Sequence, residues 1–486
     1  MSANKKISIP VLLRVQGYLL LIEGLFMMTV LPVTYLHHGI NTFSMPFSAL
    51  ITVLTGFILC FSTRRKKGQK LTPHEGVITI SLSWVMLSVF GGLPFLLSKS
   101  VPNFTDAFFE AISGFTTTGA TILTNIEMVP KDILLWRSMT QWLGGLAIIV
   151  FAVALLPFLS VGGMQLFMTE MNGINYDKLH PRTMHTAKRL WGLYLFFTLL
   201  EVFLLHAGDM DWFDAVCHSM STISTGGFST RNSSLAGFSN YSQIVVLFFM
   251  ILSGCNFTLL LIALVRKPSA LLKNEEFKHF IIILLTASVA LALALIFGMN
   301  MRVNSALRNS FFSVTSMLTT TGFFVCDYTA WPAGYWALLV LLMFIGACSG
   351  STSGGIKIIR HLIFIKNAFL ELKRIIHPNA VVPVKINKKS VSNSVIFKTM
   401  IFVFVYGMIF IFGTIVLLST GMDFNTSIGA SVATLSNLGT GVGNVGPYGN
   451  YAFLPQFVKW VLAIFMLFGR VELFTLITIF SKNFWK

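Results

Sequence analysis

The stretch ISGFTTTGATIL, Ile112 to Leu123, runs three threonines and a glycine together just after an apolar segment. Its surroundings make that odd. Of 486 residues, 55% are hydrophobic and 11% charged, and the mean hydropathy is +0.76. Water tolerates no such apolar surface, so the chain reads as an integral membrane protein. A helix needs about 20 apolar residues to cross the hydrocarbon. Ten segments qualify, at 17–36, 46–62, 77–98, 133–157, 190–206, 242–264, 279–298, 333–355, 395–418 and 456–480. Their unbroken apolar character does not suit the alternating strands of a β-barrel. The fold class is all-α.

The basic start MSANKKISIPVLLR reads as an uncleaved first span, because no small-residue cleavage site follows it. Ten spans place both termini on one side, and most of the 35 Lys and Arg fall there. The run from Arg64 and the stretch Lys357–Lys398 supply much of that excess. Basic loops stay inside, so both termini are expected in the cytoplasm. Asp106, Asp211, Asp214 and Asp327 then lie outside, where free acids would gather cations at a mouth. The net charge of +17 is a topology signal and does not point to nucleic acid. Cys60, Cys217, Cys255, Cys326 and Cys348 are scattered and odd in number, which speaks against a disulfide or cysteine-metal framework.

The opening stretch returns three times. DAFFEAISGFTTTGA begins at Asp106, DAVCHSMSTISTGGF at Asp214, NSFFSVTSMLTTTGF at Asn309 and TSIGASVATLSNLGT at Thr426. At one fixed interval each reaches a glycine, Gly119, Gly227, Gly322 or Gly439. Internal repetition of this kind divides the chain. Residues 1–70 form an additional N-terminal transmembrane hairpin; 71–160, 161–265, 266–375 and 376–486 form four pore repeats, each a helix, a pore helix and a helix. The first residue of each quoted stretch is of a type that caps a helix N-terminus. Ten to twelve helical residues reach about 15–18 Å, roughly half a bilayer. Such a helix stops at mid-membrane, and the polar turn after it must line a wet path, since unpaired backbone cannot face lipid. Four such helices around one central pore would aim their negative C-terminal ends at a common point. Four glycine turns beyond them can offer carbonyls to a dehydrated cation, and glycine permits the positive φ that such a carbonyl needs.

With RSMTQWLGGLAIIVFAVALLP (Arg137–Pro157), STGGFST (Ser224–Thr230), GSTSGGIK (Gly350–Lys357) and NLGTG (Asn437–Gly441), the chain resembles the Trk/Ktr/HKT superfamily of potassium transporters over essentially its whole length. Its length and additional hairpin bring it nearest the TrkH/TrkG type of bacterial potassium-uptake subunit. The resemblance implies potassium as the transported ion, a homodimer with one pore per subunit, and a bacterial inner-membrane location. It also implies a separate cytoplasmic TrkA-type nucleotide-binding ring, with no nucleotide bound by this chain. The family's filter carries over to Thr117, Thr118 and Gly119; Thr225, Gly226 and Gly227; Thr320, Thr321 and Gly322; and Asn437, Leu438 and Gly439. One glycine per repeat implies few coordination layers and modest discrimination against sodium. Gly226 and Leu438 stand where the other repeats carry Thr118 and Thr321, so two sides lack that hydroxyl.

Gly350, Ser351, Thr352, Ser353, Gly354 and Gly355 are poor helix formers inside an apolar segment, and an interrupted helix is tolerated only beside a cavity. In the family this stretch is an intramembrane gate loop, and an arginine of the last span, here Arg470, lies beside it. A buried arginine must face protein or water. Glu23 and Glu201 also fall in apolar runs and read as subunit-contact or solvated residues; Glu472, two positions from Arg470 and so on another side, reads as pairing elsewhere or as a structural partner, while Arg137 and Gln141 are expected to support the filter or vestibule. Gly441, Gly443 and Gly446 spell G-x-G-x-x-G, but no strand precedes them, so no dinucleotide site is expected. An intramembrane enzyme would need a nucleophile and base or a ligand pair at depth, and no such constellation occurs. The alternative within transport is a sodium-permeable pore or an H+- or Na+-coupled symporter.

Overall fold

The computed structural model describes residues 8–36, 43–63, 73–155, 179–265, 268–377, 382–471, 473–479, 481 and 484. Its described residues are mainly helical, with a two-stranded hairpin, β1 (Lys385–Ile386) and β2 (Lys389–Ser390). The helices are α1 (Ile9–Leu36), α2 (Ser44–Ser62), α3 (Pro73–Gly91), α4 (Leu93–Leu97), α5 (Phe104–Phe115), α6 (Lys131–Leu155), α7 (Leu179–His206), α8 (Trp212–Ile223), α9 (Asn240–Ser253) and α10 (Phe257–Val265). There follow α11 (Ser269–Lys273), α12 (Glu275–Met299), α13 (Val303–Leu318), α14 (Ala333–Ile345), α15 (Ile358–Ile376), α16 (Asn393–Ser419), α17 (Phe424–Leu435), α18 (Gln456–Val471) and α19 (Leu473–Ile479).

Every expected span meets a helix or a helix pair. Among the described residues, six spans are long and apolar enough to cross a membrane, and a seventh if a bent pair counts as one. That pair is α9 and α10, which meet at 99°. The segment 242–264 is therefore broken, at Gly254–Asn256 between its two apolar halves. The segment 333–355 stops as a helix at Ile345. Phe57, Phe203, Phe297, Phe404 and Phe457 stay exposed on outer faces, as lipid-facing side chains do.

α1 and α2 pack as a close pair. A side chain on Gly17 would lie 2.8 Å from the Gly56 carbonyl, and one on Gly56 would lie 2.9 Å from the Gly17 carbonyl. Glycines facing each other let backbones approach where no hydrophobic drive separates helices from lipid.

The four short helices are α5, α8, α13 and α17, with 12, 12, 16 and 12 residues. Their caps fall earlier than the sequence pattern placed them. Asn103, Asp211 and Asp423 accept the N–H groups of Asp106, Asp214 and Thr426. The repeat-initial residues are the ones being capped, three positions in. α13 begins after Arg302 without a side-chain cap, so Asn309 lies inside the helix. One-residue periodicity could not choose between two polar residues so close together.

Candidate functional site

Each short helix ends in the same turn. Thr117, Thr225, Thr320 and Asn437 have φ of 51°, 54°, 54° and 54°. Their N–H groups donate to the carbonyls of Gly114, Thr222, Met317 and Thr434, three residues back. The next residues, Thr118, Gly226, Thr321 and Leu438, donate to the carbonyls of Ser113, Ser221, Ser316 and Ala433, five back. This is a Schellman cap built four times. It consumes two helix-end carbonyls per repeat, so the helix ends are not bare toward a pore. Glycine usually takes the left-handed position; three threonines hold it here. A β-branched residue in that region is strained, and such strain persists only where its surroundings over-determine it.

Two residues later comes the repeat glycine. Gly119, Gly227, Gly322 and Gly439 have φ of 82°, 78°, 86° and 83°, the positive values expected of them. A side chain on Gly119 would lie 2.1 Å from the Gly226 carbonyl oxygen, one on Gly227 1.9 Å from that of Thr321, and one on Gly322 2.1 Å from that of Leu438. One on Gly439 would lie 2.4 Å from that of Thr118. The contacts run from the first repeat to the second, third and fourth, and back to the first. The four corners form a closed ring.

The threonine side chains play a different part from the one the sequence invites. The Thr118 hydroxyl pairs with Thr116 at 2.8 Å, and that of Thr321 with Thr319 at 2.8 Å. The other two corners use other means: Gln141 Nε2 donates to the Gly226 carbonyl at 2.6 Å, and Asn437 Nδ2 donates to the Thr118 hydroxyl at 2.9 Å. Tyr451 Oη donates to the Gly439 carbonyl and Thr440 Oγ1 to that of Gly322, each at 2.7 Å. A vestibule beyond the ring is lined by the four glycines together with Arg137, Arg231, Tyr448 and Tyr451.

Arg137 and Gln141 do support this region, and Glu110 joins them. The Arg137 Nε lies 2.6 Å from Glu110 Oε1, with both side chains buried, and its Nη1 donates to the Ser229 carbonyl at 2.9 Å. The guanidinium lies 3.5 Å over the Phe228 ring. Glu110 also accepts from the Ile122 N–H and the Thr121 hydroxyl. One carboxylate thus ties the first turn to the second repeat. Removing one partner of a buried pair strands the other charge. Glu110→Gln is expected to cost about 3–5 kcal/mol, seen as earlier thermal unfolding in detergent, and Glu110→Gln with Arg137→Met is expected to recover part of it.

The outer acids are not free. Asp106 is buried and lies 2.6 Å from Lys459 Nζ; Asp214 lies 3.3 Å from Arg231; Asp327 accepts from Thr329. Hydrogen bonding from Thr426 holds the Asp423 carboxyl below the usual carboxylate range. Asp106 and Asp214 are thus ion-pair partners, and Asp211 and Asp327 serve as helix caps.

Below the ring, the chain from Gly346 to Lys357 is irregular, with φ of 69° at Gly346, 74° at Gly350 and 73° at Gly355. It contains all six expected loop residues and lies against the turns that follow the short helices. Thr225 Oγ1 donates to Thr352 Oγ1 at 3.3 Å, and the Gly354 N–H donates to Thr320 Oγ1 at 2.6 Å. A side chain on Gly354 would meet the Ser436 carbonyl at 2.0 Å. The α9–α10 bend receives the loop's other side, where Cys348 N–H donates to Gly254 and Phe257 N–H to Gly350. Arg470 is buried and donates to the Thr352 carbonyl at 2.7 Å and the Gly144 carbonyl at 3.1 Å. It thereby joins the loop to α6 of the first repeat. Lys357, which the sequence did not single out, folds back onto the Ser353 carbonyl and hydroxyl and the Ser351 hydroxyl.

Glu23 and Glu201 are neither solvated nor at a surface. Both are buried; Glu23 lies beside Gly91 and Glu201 beside Thr222. Glu472 lies outside the described residues. Gly441–Gly446 sits in the loop between α17 and α18, with no strand before it. Among the described residues, no three His, Cys, Asp or Glu side chains gather as a metal site.

Comparison with known proteins then gives a consistent result. Residues 47–486 match the TrkH family, described as cation transport protein. The chain is 41% identical to the Trk system potassium uptake protein TrkH of Salmonella typhimurium over 90% of its length and 91% of the relative. It is 36% identical to the TrkH of Halomonas elongata over 99% of its length and all of the relative. The crystal structure of the potassium transporter TrkH from Vibrio parahaemolyticus superposes with a TM-score of 0.90 at 34% identity, covering 98% of this chain and 99% of that one.

Proposed function

The chain belongs to the TrkH family of cation transport proteins, and from that membership we propose that it takes up potassium across the bacterial inner membrane through a gated, channel-like pore. The observation that carries this reading is the closed ring in which each repeat's glycine abuts the carbonyl of the next. Ring carbonyls replace the hydration shell of a potassium ion. In this reading Thr117–Gly119, Thr225–Gly227, Thr320–Gly322 and Asn437–Gly439 are the selectivity filter, built from the repeats 71–160, 161–265, 266–375 and 376–486 behind the hairpin 1–70. An inward potential supplies about 2.3 kcal/mol per charge per 100 mV, enough to drive passive uptake. The family is one of transporters, and the chain is not an enzyme.

Gly350–Gly355 is the gate, and Arg470 holds it under the filter. Both termini lie in the cytoplasm, as the basic loops require. Kinship with Trk system proteins supports a homodimer served by a separate TrkA-type nucleotide-binding ring.

Purified protein in liposomes, given an imposed potential, tests the reading. Potassium or rubidium uptake without a sodium or proton gradient is expected, with slower sodium uptake. Uptake that requires either gradient would make the protein a symporter; equal sodium flux would remove the filter's selectivity. Shortening Gly350–Gly355 by three residues is expected to raise the flux about tenfold, as loss of a closed-state preference of one to two kcal/mol requires.

A further inference from the structure

The first turn of α12 carries two adjacent glutamates that hold two different things. Glu276 is 1% exposed, and its Oε1 accepts the Ser349 N–H at 2.6 Å and the Ile359 N–H at 3.3 Å. Those two residues flank Gly350–Gly355, one just before Gly350 and one in the first turn of α15. A single oxygen therefore draws the two ends of the loop together.

Glu275 faces the β-hairpin instead. Its Oε2 lies 2.6 Å from Lys366 Nζ, which also donates to the Lys385 carbonyl at 2.9 Å. The Glu275 N–H donates to Asn387 Oδ1 at 2.8 Å. Asn387 can reach because Asn387 and Lys388, with φ of 48° and 66°, make the two-residue turn that closes the hairpin. Its side chain thus supplies a helix cap from more than a hundred residues away, beside the local cap from Asn274 to the Phe277 N–H. Val384 and Ile386 are buried in the same apolar cluster as Phe280, Ile359 and Ile363. Arg374, near the end of α15, donates to the Val382 carbonyl at 3.0 Å. The hairpin is docked rather than loose.

We propose that Glu276 is a positioning residue for the gate, and that the Glu275–Glu276 turn is the joint through which displacement of the hairpin 382–391 reaches the loop. This rests on the reading of Gly350–Gly355 as the gate. The physical basis is short: adjacent residues of one helical turn cannot move apart, so pulling Asn387 off the α12 N-terminus shifts the carboxylate that closes the loop's neck. In the arrangement described here the joint favours the closed loop. A protein partner gripping the basic hairpin, with its Lys385, Lys388 and Lys389, would act through it without touching the pore.

The test is single-channel recording on the full chain in planar bilayers. Glu276→Gln is expected to raise open probability about tenfold, the scale set by one charge-assisted hydrogen bond, with the potassium-to-sodium permeability ratio unchanged. Asn387→Ala is expected to raise it about fivefold, as loss of a helix cap does. Combined, the two should do no more than Glu276→Gln alone. Additive effects, or wild-type opening in either single variant, would overturn the joint, as would a changed permeability ratio. Should Glu276→Gln fail to fold, Asn387→Ala and Lys366→Met carry the same test from the half-exposed side. Shortening Gly350–Gly355 in parallel separates the two readings: if shortening leaves the flux unaltered the gate reading fails, and if only shortening opens the pore the joint alone fails.

Discussion

Gly119→Ala is expected to cut potassium uptake at least about tenfold, or to let sodium through at a comparable rate. The added methyl group would sit 2.1 Å from the Gly226 carbonyl oxygen, well inside any van der Waals contact. Relief cannot come from a flexible side chain, because the obstacle is backbone. That carbonyl is itself held by Gln141. Overpacking of this kind costs about 1–3 kcal/mol, and a side chain at positive φ adds roughly 1–2 kcal/mol. The cheapest response is to spread the ring, which moves one carbonyl away from any ion the other three hold. Because the contacts are cyclic, Gly227→Ala, Gly322→Ala and Gly439→Ala should give the same class of defect. Rubidium and sodium fluxes in proteoliposomes measure it. Wild-type rate and selectivity in two of these variants would dispose of the filter assignment.

Arg470→Ala is expected to raise conduction about tenfold or more. Its guanidinium bridges the Thr352 and Gly144 carbonyls, so it both latches the loop and places a positive charge beneath the ring. At an effective dielectric of about 20, a unit charge 4–5 Å from a passing cation opposes it by roughly 3–4 kcal/mol. Arg470→Gln separates the two contributions. It keeps a donor for Thr352 but no charge, so a flux as high as that of Arg470→Ala assigns the effect to electrostatics, and a low flux assigns it to the latch. Unchanged conduction in both variants, with assembly intact, would leave Arg470 a packing residue.

Much of this was legible in the residues. Apolar run length set the membrane helices, because hydrocarbon thickness is a length requirement that any spanning helix must meet. Repetition around Gly119, Gly227, Gly322 and Gly439 located four equivalent turns, and the demand for positive φ made glycine their marker. The small-residue run Gly350–Gly355 marked a break in α-structure, since no such run holds a helix.

Other features were not legible. Thr117, Thr225 and Thr320 take left-handed backbone against their own preference, and only the surrounding packing can impose that. The caps at Asn103, Asp211 and Asp423 competed with equally good polar residues three positions on. Glu110 in its apolar stretch gave no sign that Arg137 would meet it at 2.6 Å. The bend between α9 and α10 carries no proline and became visible only with the segment 348–350 lodged in it.

Chain composition and periodicity by themselves determined the membrane setting, the half-length helices and the four glycine positions, because these depend on local length, polarity and backbone freedom. Closure of the ring, the seating of the loop beneath it and the buried pairs Arg137–Glu110 and Lys459–Asp106 were decided by tertiary structure alone. They join atoms separated by up to hundreds of residues, and no local preference encodes a distance between them.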